Sequence, residues 1–193
     1  MFDLVKKSDA VWVFENVFDK NQELLDSILL KDWKTYNNDG GGSTLIGRST
    51  WINKTEDHYE DILNIFTECL AKYSEELFTW MTPDRLGSGP WLVREYQAGS
   101  FMTAHEDAYS YVKENGEEVR PKITIIYYIN DDFEGGHIEF PYEDQGLIIK
   151  PKANSVLIFP SSFVHGVLPV VSGNRYMTQT YAYRHPLSHY DAQ

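Results

Sequence analysis

From Trp91 onward the chain breaks into short runs rich in Val, Ile, Thr, Tyr and Phe, closed off by Gly, Pro, Asn or Asp. Candidate strands fall at 91–97, 101–106, 122–129, 137–140, 146–149, 155–159, 164–170 and 176–183. About eight short strands in roughly ninety residues, joined by turn formers, predict a sandwich or barrel. The first ninety residues read differently. Val11-Trp-Val-Phe is a short strand, and 21–30 is a helix with Leu24, Leu25, Ile28 and Leu29 along one side. Gly40-Gly-Gly-Ser-Thr reads as a flexible loop. Residues 56–80 form a longer helical pattern, with Ile62, Leu63, Ile65, Phe66, Leu70 and Leu77 at helical spacing. The expectation is one mostly β domain with flanking helices over 1–193: helical support in 1–90, a β core in 91–183 and a short tail in 184–193.

Length and composition agree. At 193 residues the chain is long enough for one full core and short for two domains, and its 15% aromatic content suits β packing. Cys69 is the sole cysteine, which excludes an internal disulfide and a thiolate metal cluster. No apolar run reads as a signal peptide or a membrane span, so a cytoplasmic protein without membrane contact is expected. A formal net charge of −12 argues against a large nucleic-acid footprint. Composition says nothing about oligomeric state.

In a strand, residues i and i+2 share a side, so His105-Glu-Asp107 presents an imidazole and a carboxylate together and turns Glu106 away. His165 lies in an otherwise apolar strand, where a metal role explains a polar ring facing inward. Two His and one carboxylate favour iron(II) with positions left open. Zinc accepts the same set in hydrolases, so the three residues alone do not name the reaction. Arg175 follows ten residues later, beyond Ser172-Gly-Asn, and shares a face with Met177, Gln179 and Tyr181. A buried guanidinium there needs a partner, and a dicarboxylate would supply one.

These pieces occur in order with Lys122-Ile-Thr-Ile-Ile-Tyr-Tyr-Ile-Asn130, Glu134-Gly-Gly-His-Ile-Glu-Phe-Pro141, Lys150-Pro-Lys-Ala-Asn-Ser-Val-Leu-Ile-Phe-Pro160 and Gly173-Asn-Arg-Tyr176. Together they resemble the catalytic core of the prolyl 4-hydroxylase branch of the iron(II)/2-oxoglutarate-dependent oxygenases. The resemblance implies a double-stranded β-helix (jelly-roll), with iron(II) on His105, Asp107 and His165. It implies that Arg175 binds the far carboxylate of 2-oxoglutarate, with Tyr96 and Tyr128 lining that co-substrate's pocket. It also implies O2 as the oxidant, ascorbate as a candidate reductant, and a prolyl residue in a protein or peptide as substrate, hydroxylated at the ring's 4-position. Related halogenases replace the carboxylate with a small residue, so Asp107 favours hydroxylation.

Two departures qualify this. The collagen-modifying enzymes resemble one another in having Lys where this chain has Arg175, which points towards the oxygen-sensor-like type and towards bacterial or viral relatives. No peptide-binding domain accompanies the core. Hydroxylation of a free amino acid or other small molecule stays open as the alternative. A nucleic-acid dealkylase would resemble its relatives in a second Arg six residues after the first, where this chain has Tyr181. A non-catalytic jelly-roll binding module would need neither the open triad nor a buried Arg. The loops 40–49 and 108–120 are expected over the metal mouth, where substrate choice usually resides. His137 is read as surface by parity, and His58, His185 and His189 as incidental.

Overall fold

A computed structural model describes residues 2–40, 43–77, 85–86, 90–108, 111–112 and 118–183. The chain starts with β1 (Asp3–Lys6), β2 (Trp12–Glu15) and α1 (Asn21–Leu29), then β3 (Lys34–Gly40), β4 (Ser43–Ile52) and the long α2 (Tyr59–Leu77). Next come β5 (Arg85–Leu86), β6 (Trp91–Tyr96), β7 (Met102–His105), β8 (Tyr111–Val112) and β9 (Glu118–Val119). The rest is β10 (Pro121–Tyr128), β11 (Glu134–Gly135), β12 (Ile138–Phe140), β13 (Leu147–Ile149), β14 (Ser155–Pro160), β15 (His165–Val167), β16 (Val170–Ser172) and β17 (Arg175–Tyr183).

The major sheet runs β1-β2-β14-β10-β17-β6-β4-β3, with β5 paired to the end of β17. A four-stranded minor sheet runs β13-β12-β15-β7. Alternation along the central strands sets the layers. In β10, Ile123, Ile125 and Tyr127 point into a core shared with the helices, whereas Ile126 and Tyr128 point into a second core shared with Ile138, Phe140 and Ile149 of the minor sheet. The major sheet is therefore buried on both faces, which is why β10 and β14 read as continuous apolar runs.

The helices cover the first face. On α2, Ile62, Ile65, Phe66, Cys69, Leu70 and Tyr73 are buried at three- and four-residue spacing, and α1 adds Leu24 and Ile28. Each such side chain contributes about 1.5–3 kcal/mol on burial. Trp91 stacks on Tyr59 at 5.4 Å between centroids and meets Phe66 edge-on at 5.3 Å, which ties β6 to α2.

Several expectations are corrected. The first ninety residues supply five strands as well as two helices. Residues 43–49, expected in a loop, are strand: β4 pairs with β3 on one side and β6 on the other. Gly40 pairs with Ser43, and Gly41 and Gly42 between them lie outside the described residues. The strand expected at 164–170 divides into β15 and β16, because Pro169 has no N–H to give to a ladder. Loop 108–120 contains the small β8–β9 pairing, and its side chains from 109 to 119 lie outside the description.

Candidate metal and co-substrate site

The cavity lies between the two sheets and opens beside β7 and β15. β15 pairs with β7 so that His165 lies opposite His105, bringing the two rings to 4.4 Å between centroids. Asp107 stands past the end of β7 at a bend, where its N–H donates to the Ser161 carbonyl at 2.9 Å. Expected strand parity puts the carboxylate on the His105 side, but a main-chain anchor rather than a ladder delivers it; Glu106 is exposed as expected. Asp107 Oδ1 is 3.6 Å from His105 Nε2, and Oδ2 is 3.5 Å from His165 Nε2. One ligand atom from each residue can be chosen with all three within 4.8 Å of one another.

Each imidazole is oriented by its own strand. Nδ1 of His105 lies 2.8 Å from the Thr103 carbonyl, and Nδ1 of His165 lies 3.0 Å from the Phe163 carbonyl. A carbonyl only accepts, so the proton sits on Nδ1 and the Nε2 lone pair is left for a metal. Phe159 and Phe140 flank the His165 ring, at 4.7 and 6.0 Å. Hydrogen bonding to Asp107 raises the His105 pKa, while burial lowers that of His165. Burial alone would raise Asp107; the two imidazoles and the Thr124 hydroxyl outweigh it and hold the carboxyl below its usual value.

Arg175 stands at the other end of the same cavity, 1% exposed. β17 pairs with β6 so that Arg175 is opposite Tyr96, whose ring centroid is 4.9 Å from the guanidinium carbon; Tyr128 flanks it at 5.1 Å. Its Nε and Nη1 have no hydrogen-bond partner among the described residues, nor does the Tyr128 hydroxyl. Asn130 brackets Arg175 by accepting from the Tyr176 N–H and donating to the Asn174 carbonyl, both at 2.7 Å. The cavity measures about 430 Å³. Tyr96, Met177, Gln179 and Tyr181 line it, whereas Tyr128 stands behind the guanidinium and does not. An unpaired, buried, fork-shaped cation facing a cavity fits a carboxylate.

Sequence reasoning singled out His105, Asp107, His165, Arg175, Tyr96 and Tyr128, and the structure brings all six to this region. It passed over Thr124 and Ser161, which bond to Asp107, and Arg94 and Leu45 on the cavity wall. The signal for Thr124 was available: one hydroxyl in the apolar run of β10, on the face of Ile126 and Tyr128. His137 is half-buried, beside fully buried Ile138, and takes no part in the cavity. His58 bonds Asp61 at 3.1 Å away from the site, and His185 and His189 lie outside the described residues.

Residues 91–183 match the family model of the 2OG-Fe(II) oxygenase superfamily. Among curated proteins, a PKHD-type hydroxylase of Paraburkholderia phytofirmans is 31% identical over 90 residues, covering 45% of this chain and 39% of that protein. A PKHD-type hydroxylase of Teredinibacter turnerae is 28% identical over 82 residues, covering 42% and 36%. The match thus spans well under half the length of these relatives. Among solved structures, a Pseudomonas putida prolyl-4-hydroxylase aligns with a TM-score of 0.69 at 15% identity, covering 92% of this chain and 94% of that one. The viral collagen prolyl hydroxylase of Paramecium Bursaria Chlorella virus-1 aligns at 0.64 with 17% identity, covering 94% and 99%. These likenesses show the fold, a double-stranded β-helix, as expected from the sequence.

Proposed function

We propose that this chain, whose residues 91–183 match the family model of the 2OG-Fe(II) oxygenase superfamily, is an iron(II)- and 2-oxoglutarate-dependent hydroxylase acting on a prolyl residue of a protein or peptide. One observation carries the iron and 2-oxoglutarate part: a His-carboxylate-His set and an unpaired buried arginine share a single cavity. The donor set fits the ion, with two Nε2 lone pairs free and one carboxylate held ionised. The orphaned Nε and Nη1 of Arg175 fit the far carboxylate of the co-substrate. When bound, iron and 2-oxoglutarate supply the oxidising power: O2 splits the keto acid to succinate and CO2, and one oxygen atom passes to a substrate C–H.

The chain's own residues do the positioning. His105, Asp107 and His165 would hold the metal, beside the cavity they line. Arg175, fixed by Asn130 and the rings of Tyr96 and Tyr128, sets how far along the cavity the co-substrate reaches. Met177, Ile126 and Ile138 keep the intervening wall apolar and exclude water. Tyr181, whose hydroxyl accepts from Gln179 Nε2 at 2.7 Å, gives the mouth an aromatic wall suited to a proline ring. The prolyl part draws its support from the ordered motifs between Tyr96 and Arg175, and from relatives whose names are those of prolyl hydroxylases.

Incubation with iron(II), 2-oxoglutarate, ascorbate and a library of Pro-containing peptides should release succinate and add one oxygen atom to a peptide, by mass spectrometry. Oxygen gained by free amino acids or nucleobases, with the peptides untouched, would replace the substrate and keep the chemistry. No succinate with any substrate would overturn the hydroxylase reading.

A further inference from the structure

We propose that Thr124 is a positioning residue for the metal site, its single hydroxyl proton committed to Asp107 and Ser161 enforcing that commitment. The inference rests on the reading of His105, Asp107 and His165 as metal ligands.

Asp107 needs such help because of where it sits. It lies past the end of β7, so no ladder fixes its backbone on both sides, and its carboxylate can turn about two side-chain torsions. Thr124 has the opposite character. It is mid-strand in β10, fully buried, paired with Phe159 of β14 on one side and Tyr181 of β17 on the other. Its Oγ1 lies 3.0 Å from Asp107 Oδ2 and 2.9 Å from Ser161 Oγ. A strand paired on both sides thus reaches across to the one residue of the three that lies outside any strand.

Proton counting sets the direction of this chain of bonds. An ionised carboxylate only accepts, so the Thr124 proton goes to Oδ2. A hydroxyl has one proton, so Thr124 must accept from Ser161. The order is Ser161 Oγ to Thr124 Oγ1 to Asp107 Oδ2, with no freedom to reverse. The main chain of Ser161 closes the frame: its carbonyl accepts from the Asp107 N–H and its N–H donates to the Lys122 carbonyl, both at 2.9 Å. With Oδ2 occupied, Oδ1 is the oxygen left on the His105 side, at 3.6 Å from Nε2. A carboxylate so held favours giving the metal one oxygen rather than two, which keeps coordination positions open for a co-substrate.

The experiment compares Thr124→Val, which keeps the β-branched shape and deletes the hydroxyl, with Thr124→Ser, which keeps the hydroxyl, and with Ser161→Ala. Mn(II) is titrated calorimetrically into the metal-free full chain, and metal-free thermal midpoints are recorded in parallel. Thr124→Val should weaken Mn(II) by about 10–100-fold, the usual consequence of losing an outer partner of a ligand, with Thr124→Ser staying within about threefold of wild type. Ser161→Ala should fall between, since Thr124 keeps its own donation. A Thr124→Val protein that binds Mn(II) as wild type does would overturn the proposal, as would a Thr124→Ser protein as weak as Thr124→Val. If Thr124→Val does not fold, unchanged affinity in Ser161→Ala overturns it instead. Wild-type protein that takes up no Mn(II) would sink the metal-site reading itself, before any variant is compared.

Discussion

Both faces of the central strands of the major sheet are buried, but they treat their polar atoms differently. On the helix face, the Tyr73 hydroxyl donates to the Ala10 carbonyl at 2.7 Å, the Trp91 indole to the Tyr59 carbonyl at 3.0 Å and the Tyr127 hydroxyl to Asn21 at 2.6 Å. Even Glu95, fully buried, is met by Arg48 at 2.5 and 2.7 Å and by the Tyr176 hydroxyl at 2.9 Å. Thr178 Oγ1 is the exception there, a single neutral hydroxyl. On the cavity face, a guanidinium and a phenol stand side by side with donors unmet among the described residues. Each unmet buried group costs about 1–3 kcal/mol, more when charged. A fold that satisfies one face and leaves a charge unpaired on the other has divided its labour: one face keeps the chain folded, and the other is completed by what binds.

Substitutions on the two faces should therefore separate stability from binding. The largest effect belongs to the cavity face: His165→Ala removes a proposed metal ligand, and turnover should fall to background while the unfolding midpoint stays near wild type. On the helix face, Phe66→Ala should cost about 3–5 kcal/mol in urea unfolding and leave the affinity for 2-oxoglutarate unchanged in the protein that remains folded. Arg175→Met should weaken 2-oxoglutarate by about 10–100-fold, the loss of a charge-assisted hydrogen bond of about 1.5–3 kcal/mol. Its metal-free form should be no less stable than wild type, because an unpaired buried charge has gone; a large drop in stability would erase the contrast between the faces.

The smallest effect is at Glu95. Burial alone would raise its carboxyl, but Arg48 and Tyr176 hold it below the ordinary value. A lowered folded pKa means stability that is present above the unfolded carboxyl value, about 4.3 for Glu, and lost as pH falls towards the folded one. Glu95→Gln should cost about 1 kcal/mol at neutral pH, discounted because Arg48 is partly exposed, and should flatten the acid limb of urea midpoint against pH.

The division between faces also explains what the sequence disclosed. Strands of the β core showed because β10 and β14 are largely apolar and end in turn residues. Of the proposed metal residues, His105 and Asp107 showed because alternate strand residues share a side and His165 because an imidazole stands out in an apolar strand; Arg175 showed because strand parity from Met177 to Tyr181 placed it inward. β1 and β3 were illegible for a physical reason: β1 lies at one edge with exposed or half-buried residues, and β3, Lys-Thr-Tyr-Asn-Asn-Asp-Gly, is polar edge sequence with little β propensity of its own. Their pairing is imposed by the neighbouring strand: β1 lies against β2, and β3 against β4. The Glu95–Arg48–Tyr176 cluster joins three strands and has no local pattern from which to read it.

One feature of the sheet order bears on how the molecule is made. β2 has its place beside β14, and β17, the last strand among the described residues, is inserted between β10 and β6 in the middle of the sheet. β2, which carries Trp12 and Phe14, has nearby β1 on one edge but must wait for its other partner, roughly 140 residues away, on the order of ten seconds at ribosomal rates of about 5–20 residues per second. Until Arg175 to Tyr183 emerges, β10 and β6 each have an open edge. Such non-local pairing makes for slow folding, and the nascent chain's apolar strands are exposed to association while they wait. The same late strand carries Arg175, so the proposed co-substrate anchor is delivered in the step that closes the sheet.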